Sequence, residues 1–152
     1  AARAPMPVQQ AQVTIVVSPP TTAELSESAT AARVLIVDDD DVMRDLMKQA
    51  LLRRAYRVET AKDGNEALRA INAGCVDVVL LDLLMPNRDG FAVLRELQRM
   101  NPAPPAIVMT GSRAVDIREE AMALGANAYL QKPFELGQLL AEVESVLVHQ
   151  HA

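Results

Sequence analysis

Three short runs, Val34-Leu35-Ile36-Val37, Val78-Val79-Leu80-Leu81 and Ala106-Ile107-Val108-Met109, are apolar without a break. A strand with one wet face alternates apolar and polar residues; an unbroken run predicts a strand covered on both faces. Each run is followed by residues at helical spacing. Met43, Leu46, Met47, Ala50 and Leu51 fall at i, i+3, i+4, i+7 and i+8. Phe91, Leu94, Leu97 and Met100 repeat the pattern before Pro102, and a helix from about 114 to 124 ends at Gly125, a favoured stop. Two more units complete the series. Tyr56 to Ala61 alternates, as a strand at or near an edge does, and leads to a helix with Ala67, Leu68 and Ile71 that stops at Ala73-Gly74. Ala128 to Gln131 is a short strand followed by the longest amphipathic stripe: Leu136, Leu139, Leu140, Val143, Val146 and Leu147. Five rounds of strand then helix predict an α/β fold, a doubly wound parallel sheet with helices on both faces and right-handed crossovers.

The stretch before Arg33 has a different character. It holds Pro5, Pro7, Pro19 and Pro20, is rich in Ala, Gln, Ser and Thr, and has no aromatic residue. That is linker composition. Within it, Val13 to Val17 has strand propensity and reads as a strand of a neighbouring domain, an added edge strand or an incidental apolar patch; Glu24 to Ala32 is compatible with a short helix. The expected division is 1–32 as a linker-like extension, 33–148 as the folded domain and 149–152 as an exposed tail. The Ala-Ala-Arg-Ala-Pro start lacks both Met and the apolar core of a signal peptide, so we expect a fragment of a longer chain or a processed form. A net charge of −5 argues against nucleic-acid binding through bulk electrostatics. No apolar run is long enough to span a membrane. The single cysteine, Cys75, rules out an internal disulfide and a multi-cysteine zinc site.

In an open parallel sheet, sites form beyond the carboxyl ends of the strands. The first strand delivers Asp38 and Asp39 there, the third Asp82, the fourth Thr110 and the fifth Lys132. The second delivers only Ala61 and Lys62. Three carboxylates, a hydroxyl and an ammonium thus converge on one rim. The carboxylates repel one another unless a cation sits among them, and oxygen donors without a nearby His or a second Cys suit Mg²⁺. A carboxylate beside Mg²⁺ is a competent nucleophile toward a phosphoryl group, forming an acyl phosphate. Lys132, Thr110 and the metal then meet the charge on the phosphoryl oxygens.

The same residues, Val34 to Asp41, Leu80-Leu81-Asp82-Leu83-Leu84-Met85-Pro86, Asp89-Gly90, Met109-Thr110-Gly111, Gly125-Ala126, and Tyr129 followed by Lys132-Pro133-Phe134, resemble in content and order the receiver domain of two-component response regulators. The resemblance runs from about Arg33 to Leu147. It implies a flavodoxin-like (CheY-like) sheet in the order 2-1-3-4-5. It implies that Asp82 accepts a phosphoryl group from a histidine kinase or a histidine phosphotransfer protein, the domain catalysing no more than its own phosphorylation and dephosphorylation. Mg²⁺ (or Mn²⁺) would be held by Asp39, Asp82 and the backbone carbonyl of Leu84, with Asp38 acting through water. Thr110 would turn toward the phosphoryl group, Lys132 would pair with it, and Tyr129 would follow Thr110 from exposed to buried. The Lys132-Pro133 peptide would be cis. The face formed by helix 4, strand 5 and helix 5 would signal to a downstream partner or neighbouring domain, or pair in a homodimer.

Two positions depart from the usual receiver pattern. Leu84, two residues after Asp82, is often polar in the family; an aliphatic side chain there would hinder an attacking water and slow self-dephosphorylation. Asp40 and Asp41 extend the acidic run, and one of them reads as a helix N-cap rather than a metal ligand. Rival readings fare less well. A phosphatase of the haloacid dehalogenase type has Asp-x-Asp after its first strand and its acidic pair late, whereas here the pair comes first. A flavin site needs a hydroxyl-rich phosphate loop where this chain is acidic. A receiver-like module that is never phosphorylated would not need acceptor, acidic pair, Thr and Lys together. No helix-turn-helix follows the last helix. That leaves a single-domain regulator or the C-terminal receiver of a larger protein such as a hybrid histidine kinase, in the cytoplasm or on the cytoplasmic side of a membrane-bound kinase.

Overall fold

The computed structural model describes residues 31–151. The strand and helix readings made for residues 13–17 and 24–30 lie outside the described residues. Five strands, β1 (Arg33–Val37), β2 (Arg57–Ala61), β3 (Val78–Asp82), β4 (Ala106–Thr110) and β5 (Ala128–Gln131), alternate with five helices. The helices are α1 (Asp41–Leu52), α2 (Gly64–Asn72), α3 (Asp89–Arg99), α4 (Val115–Ala123) and α5 (Leu136–His151). All pairings are parallel and the order is β2-β1-β3-β4-β5. This is the doubly wound, flavodoxin-like arrangement that the alternation and the resemblance imply.

Side chains on a strand alternate between faces, and the unbroken apolar runs feed two cores. Val34, Ile36, Val78, Leu80, Ile107 and Met109 meet Met47 and Leu51 of α1 and Leu139, Val143, Val146 and Leu147 of α5. Leu35, Val37, Val79, Leu81, Ala106 and Val108 meet Ala67 and Ile71 of α2, Phe91, Leu94 and Leu97 of α3 and Ala121 of α4. β2 has the mixed exposure of an edge strand, as its alternating sequence requires.

Helix boundaries have local causes. Asp40 is the N-cap of α1, its carboxylate accepting from the amides of Val42 and Met43, which relieves two of the unpaired first-turn donors. Asp63 caps α2 through the Glu66 amide. Gly125, at φ +94°, follows α4 in the left-handed conformation that glycine adopts without strain. The structure differs from expectation at two boundaries. Asp-Gly is a favoured turn pair, yet Asp89 and Gly90 form the first turn of α3; the turn itself lies at a short 3₁₀ segment, Pro86–Arg88, where Asn87 has φ +63°. And α5 continues to His151, so His149, expected in a tail, is helical, with its Nδ1 2.7 Å from the Ser145 carbonyl oxygen.

The start of α3 presses on the end of β3. A Cβ added at Gly90 would overlap the Asp82 carbonyl oxygen and stand 2.6 Å from the Leu83 Cα. Main-chain atoms cannot yield as a flexible side chain can. Gly90→Ala is therefore expected to cost at least about 1–3 kcal/mol, the usual penalty of overpacking; chemical denaturation of the two proteins, compared at equal m-value, measures it.

Candidate functional site

Strand periodicity aims the site. Val34 and Ile36 face the α1–α5 core, and Asp38 follows in step one residue beyond β1, its amide donating to the Ala61 carbonyl (3.1 Å). Val78 and Leu80 face the same core, and Asp82 follows in step at the end of β3. Leu130 does so on β5, and Lys132 follows, its amide donating to the Thr110 carbonyl (2.8 Å). One face of the sheet therefore runs out into two aspartates and a lysine. The Lys132 ammonium donates to Asp38 Oδ2 at 2.9 Å and lies 3.5 Å from Asp82 Oδ2.

Asp38 and Asp82 are both buried and Asp39 is exposed. A buried carboxylate needs bonded partners. Asp38 Oδ1 accepts from the Asp40 amide (2.9 Å), and its main-chain oxygen accepts from the Arg44 guanidinium (2.7 Å). Asp82 Oδ1 accepts from the Leu84 amide (3.1 Å). Burial pushes the pKa of Asp82 up; Lys132 opposes this, Asp38 adds to it, the Leu84 amide opposes it and Asp39 adds again. Burial works against the Lys132 ammonium, but its bond to Asp38 and the charge of Asp82 prevail and leave its pKa raised.

Carboxylate oxygens of Asp38, Asp39 and Asp82 all lie within 4.8 Å of one another. Three carboxylates against one ammonium leave negative charge uncompensated. Among the described residues no hydrogen bond or ion pair holds the Asp39 carboxylate. A cluster of hard oxygen donors with one open member fits a small divalent cation such as Mg²⁺.

Thr110 is fully buried, and its hydroxyl oxygen accepts from the Ser112 amide (3.0 Å). Tyr129 is half-buried; its hydroxyl donates to the Ser112 carbonyl (3.2 Å), and Arg118 lies 5.4 Å from the ring centroid. Leu84 is 48% exposed, on the loop after β3. The Lys132-Pro133 peptide is cis. Of the residues expected at the site, Asp38, Asp39, Asp82 and Lys132 are brought together directly, and Thr110 and Tyr129 are joined through Ser112. Three participants escaped the sequence reading. Arg44 reaches back from α1 to the Asp38 carbonyl and pairs with Asp41. Ser112 joins Thr110 to Tyr129. Gln131 bonds two strand-end carbonyls. Only Arg44 had a detectable signal, being one turn past the N-cap aspartate on the same helix.

Residues 34–144 match the family model described as the response regulator receiver domain. The chain is 40% identical over 115 residues to response regulator MprA of Mycolicibacterium vanbaalenii, covering 76% of this chain and 50% of that protein. It thus spans about half the length of the MprA relatives it matches. A CheY-like receiver domain protein from Methanospirillum hungatei superposes with a TM-score of 0.76 at 30% identity, over 80% of this chain and 98% of that one. Chemotaxis response regulator CheY4 of Vibrio cholerae superposes with a TM-score of 0.72 at 33% identity, over 78% of this chain and all (100%) of that one.

The raised pKa of Asp82 has a consequence for stability. The folded protein holds the Asp82 proton more tightly than the unfolded chain does. The resulting stabilisation is fully present below the unfolded carboxyl pKa and is lost as pH rises through the folded value. At neutral pH and without divalent cations, the ionised carboxylate therefore works against folding, and Asp82→Asn is expected to raise the melting temperature. The difference should shrink as pH falls below the carboxylate range. Thermal melts of both proteins in EDTA across pH check this; an Asn variant that melts lower at neutral pH contradicts it.

Proposed function

The chain belongs to the response regulator receiver family, and from that premise we propose that it is a phosphorylation-dependent signalling switch with Asp82 as the phosphoacceptor. The observation that carries this reading is the Lys132 ammonium lying between Asp38 and Asp82 at the end of the sheet, with Asp39 beside them. A buried ion cluster of this kind does little for stability by itself. It suits a centre that must accept a multiply charged anionic group.

In this reading a carboxylate oxygen of Asp82 attacks the phosphorus of a phosphohistidine. An O–P bond forms and the P–N bond breaks, its electron pair staying on the departing imidazole. Lys132 stands closer to Asp38 (2.9 Å) than to Asp82 (3.5 Å), which leaves Asp82 the less well compensated of the two and favours its reaction. Asp39, Asp82 and the Leu84 carbonyl are the proposed metal ligands, with Asp38 acting through water. A bound Mg²⁺ or Mn²⁺ supplies charge neutralisation for the transferring group. Lys132, already within 3.5 Å of Asp82, pairs with a phosphoryl oxygen. Thr110 has its hydroxyl oxygen occupied by the Ser112 amide and its hydrogen available to donate.

The acyl phosphate adds a compact, highly charged group to a packed rim, which is how phosphorylation biases a two-state element. Thr110 and Tyr129 are the proposed moving parts, and α4, β5 and α5 the face that a downstream partner, a neighbouring domain or a second copy reads. The proposed donor is a histidine kinase or a histidine phosphotransfer protein, and the proposed setting is the cytoplasm. No described helix is long and apolar enough to cross a membrane. We also propose that the switch domain begins near residue 33, preceded by a linker, within either a single-domain regulator or a larger protein such as a hybrid kinase.

Incubation with Mg²⁺ and acetyl phosphate should add the mass of a single phosphoryl group to the wild type and none to Asp82→Ala. Turnover of many equivalents of an organic phosphate, with no mass gain, would instead point to a phosphatase. Leu84 stands half exposed beside Asp82, where it shields the acyl phosphate from water. Leu84→Asn should shorten the lifetime of the phosphorylated form by roughly tenfold, less than the roughly hundredfold or more of a full general acid or base because an amide orients a water without taking its proton. An unchanged lifetime, followed by the decay of the mass shift, would remove Leu84 from the account.

A further inference from the structure

We infer that Gln131 is a positioning residue for the Asp82 site, tying Thr110, Lys132 and Tyr129 into one unit through its side-chain amide. The inference rests on the phosphoacceptor reading above. It starts from a gap in the sheet. β5 pairs with β4 up to Thr110 and Gln131, and the Lys132 amide makes the next bond to the Thr110 carbonyl. Pro133 has no N–H, so the ladder stops there. The Gln131 side chain takes over. Its Nε2 donates to the Thr110 carbonyl and to the Lys132 carbonyl, each at 3.2 Å. An amide nitrogen has two hydrogens and a carbonyl oxygen two lone pairs, so the Thr110 oxygen accommodates both its donors.

With Nε2 committed to two carbonyls, Oε1 points away, 3.5 Å from the Tyr129 hydroxyl. The phenol has one hydrogen, which serves the Ser112 carbonyl at 3.2 Å and has Oε1 as its nearest alternative acceptor. Ser112 in turn donates its amide to the Thr110 hydroxyl. A chain of bonds results, from Tyr129 to Ser112 to Thr110 to Gln131, with Oε1 placed to take the Tyr129 hydrogen only when Ser112 gives it up. Period-two alternation places Tyr129 and Gln131 on the face of β5 opposite Leu130 and Lys132. Tyr129 packs toward the core that includes Ala121 of α4, and Leu130 toward the α1–α5 core. Gln131 thus holds the Lys132 main chain from behind while the ammonium reaches Asp38 and Asp82 in front. A turn of the Thr110 hydroxyl toward a phosphoryl group disturbs the Ser112 bond, and Oε1 offers Tyr129 a partner in its new position.

Two variants separate this from a merely structural role. Gln131→Met keeps length and loses every bond; Gln131→Glu keeps an acceptor for Tyr129 and sets a carboxylate against two carbonyls. Both are made in the full chain on a Tyr56→Phe background, which leaves Tyr129 the sole fluorescent tyrosine of the two present. Phosphorylation by acetyl phosphate at saturating Mg²⁺ is followed by mass, and the fluorescence change is recorded on the same samples. Both variants are expected still to take a single phosphoryl group but roughly tenfold more slowly, as a small misplacement of catalytic groups demands. The tyrosine signal that accompanies phosphorylation should be largely lost in Gln131→Met. Wild-type rates and wild-type signals in both variants, even with lower melting temperatures, overturn the role given to Gln131 and leave the acceptor reading intact. A wild-type chain that takes no phosphoryl group overturns the acceptor reading, and this inference with it.

Discussion

The structure depends on one ammonium placed among three carboxylates. Asp38 and Asp82 each follow a run of four apolar strand residues, and both are buried. Without Lys132 their charges would have little water and, among the described residues, no counter-ion. The two distances from Lys132, 2.9 Å to Asp38 and 3.5 Å to Asp82, are unequal. Asp38 is the better neutralised; Asp82 is held less tightly and has its pKa pushed up by burial. The asymmetry gives two chemically identical side chains different tasks: one anchors the lysine, and the other is the group we propose reacts.

That cluster sets demands on the backbone around it. The Asp82 carbonyl is crowded by the first turn of α3, which only glycine at position 90 permits. The loop after β1 is drawn in by Asp38, which accepts from the Asp40 amide with its carboxylate and from Arg44 with its carbonyl. The loop after β4 is drawn in by Thr110 through Ser112. Each loop is pinned by a side chain or main-chain atom of a strand-end residue, above the two apolar cores.

Much of the fold was legible in the residues. The unbroken runs at Val34 to Val37, Val78 to Leu81 and Ala106 to Met109 could be satisfied only by strands covered on both faces, and all three are. The stripe from Leu136 to Leu147 predicted the helix whose Leu139, Val143, Val146 and Leu147 complete one core. Boundaries were harder. Asp89-Gly90 carries turn chemistry, yet it opens a helix, because the glycine is needed for close approach to β3 rather than for a positive φ. His149 lies within α5 because nothing after Leu147 stops a helix.

The sequence by itself determined which chemical groups reach the rim, because each follows an apolar strand by a step or two and strands in a parallel sheet all end on the same side. Only the tertiary structure decided how those groups share charge and hydrogen bonds. That Lys132 favours Asp38 over Asp82, that Ser112 joins Thr110 to Tyr129, and that Gln131 bonds the Thr110 carbonyl are matters of ångströms between residues far apart in the chain. Periodicity reports which face a side chain occupies; it carries no information about which of several neighbours on that face it will bond. That choice is made by packing, since burial penalises every polar atom left without a partner.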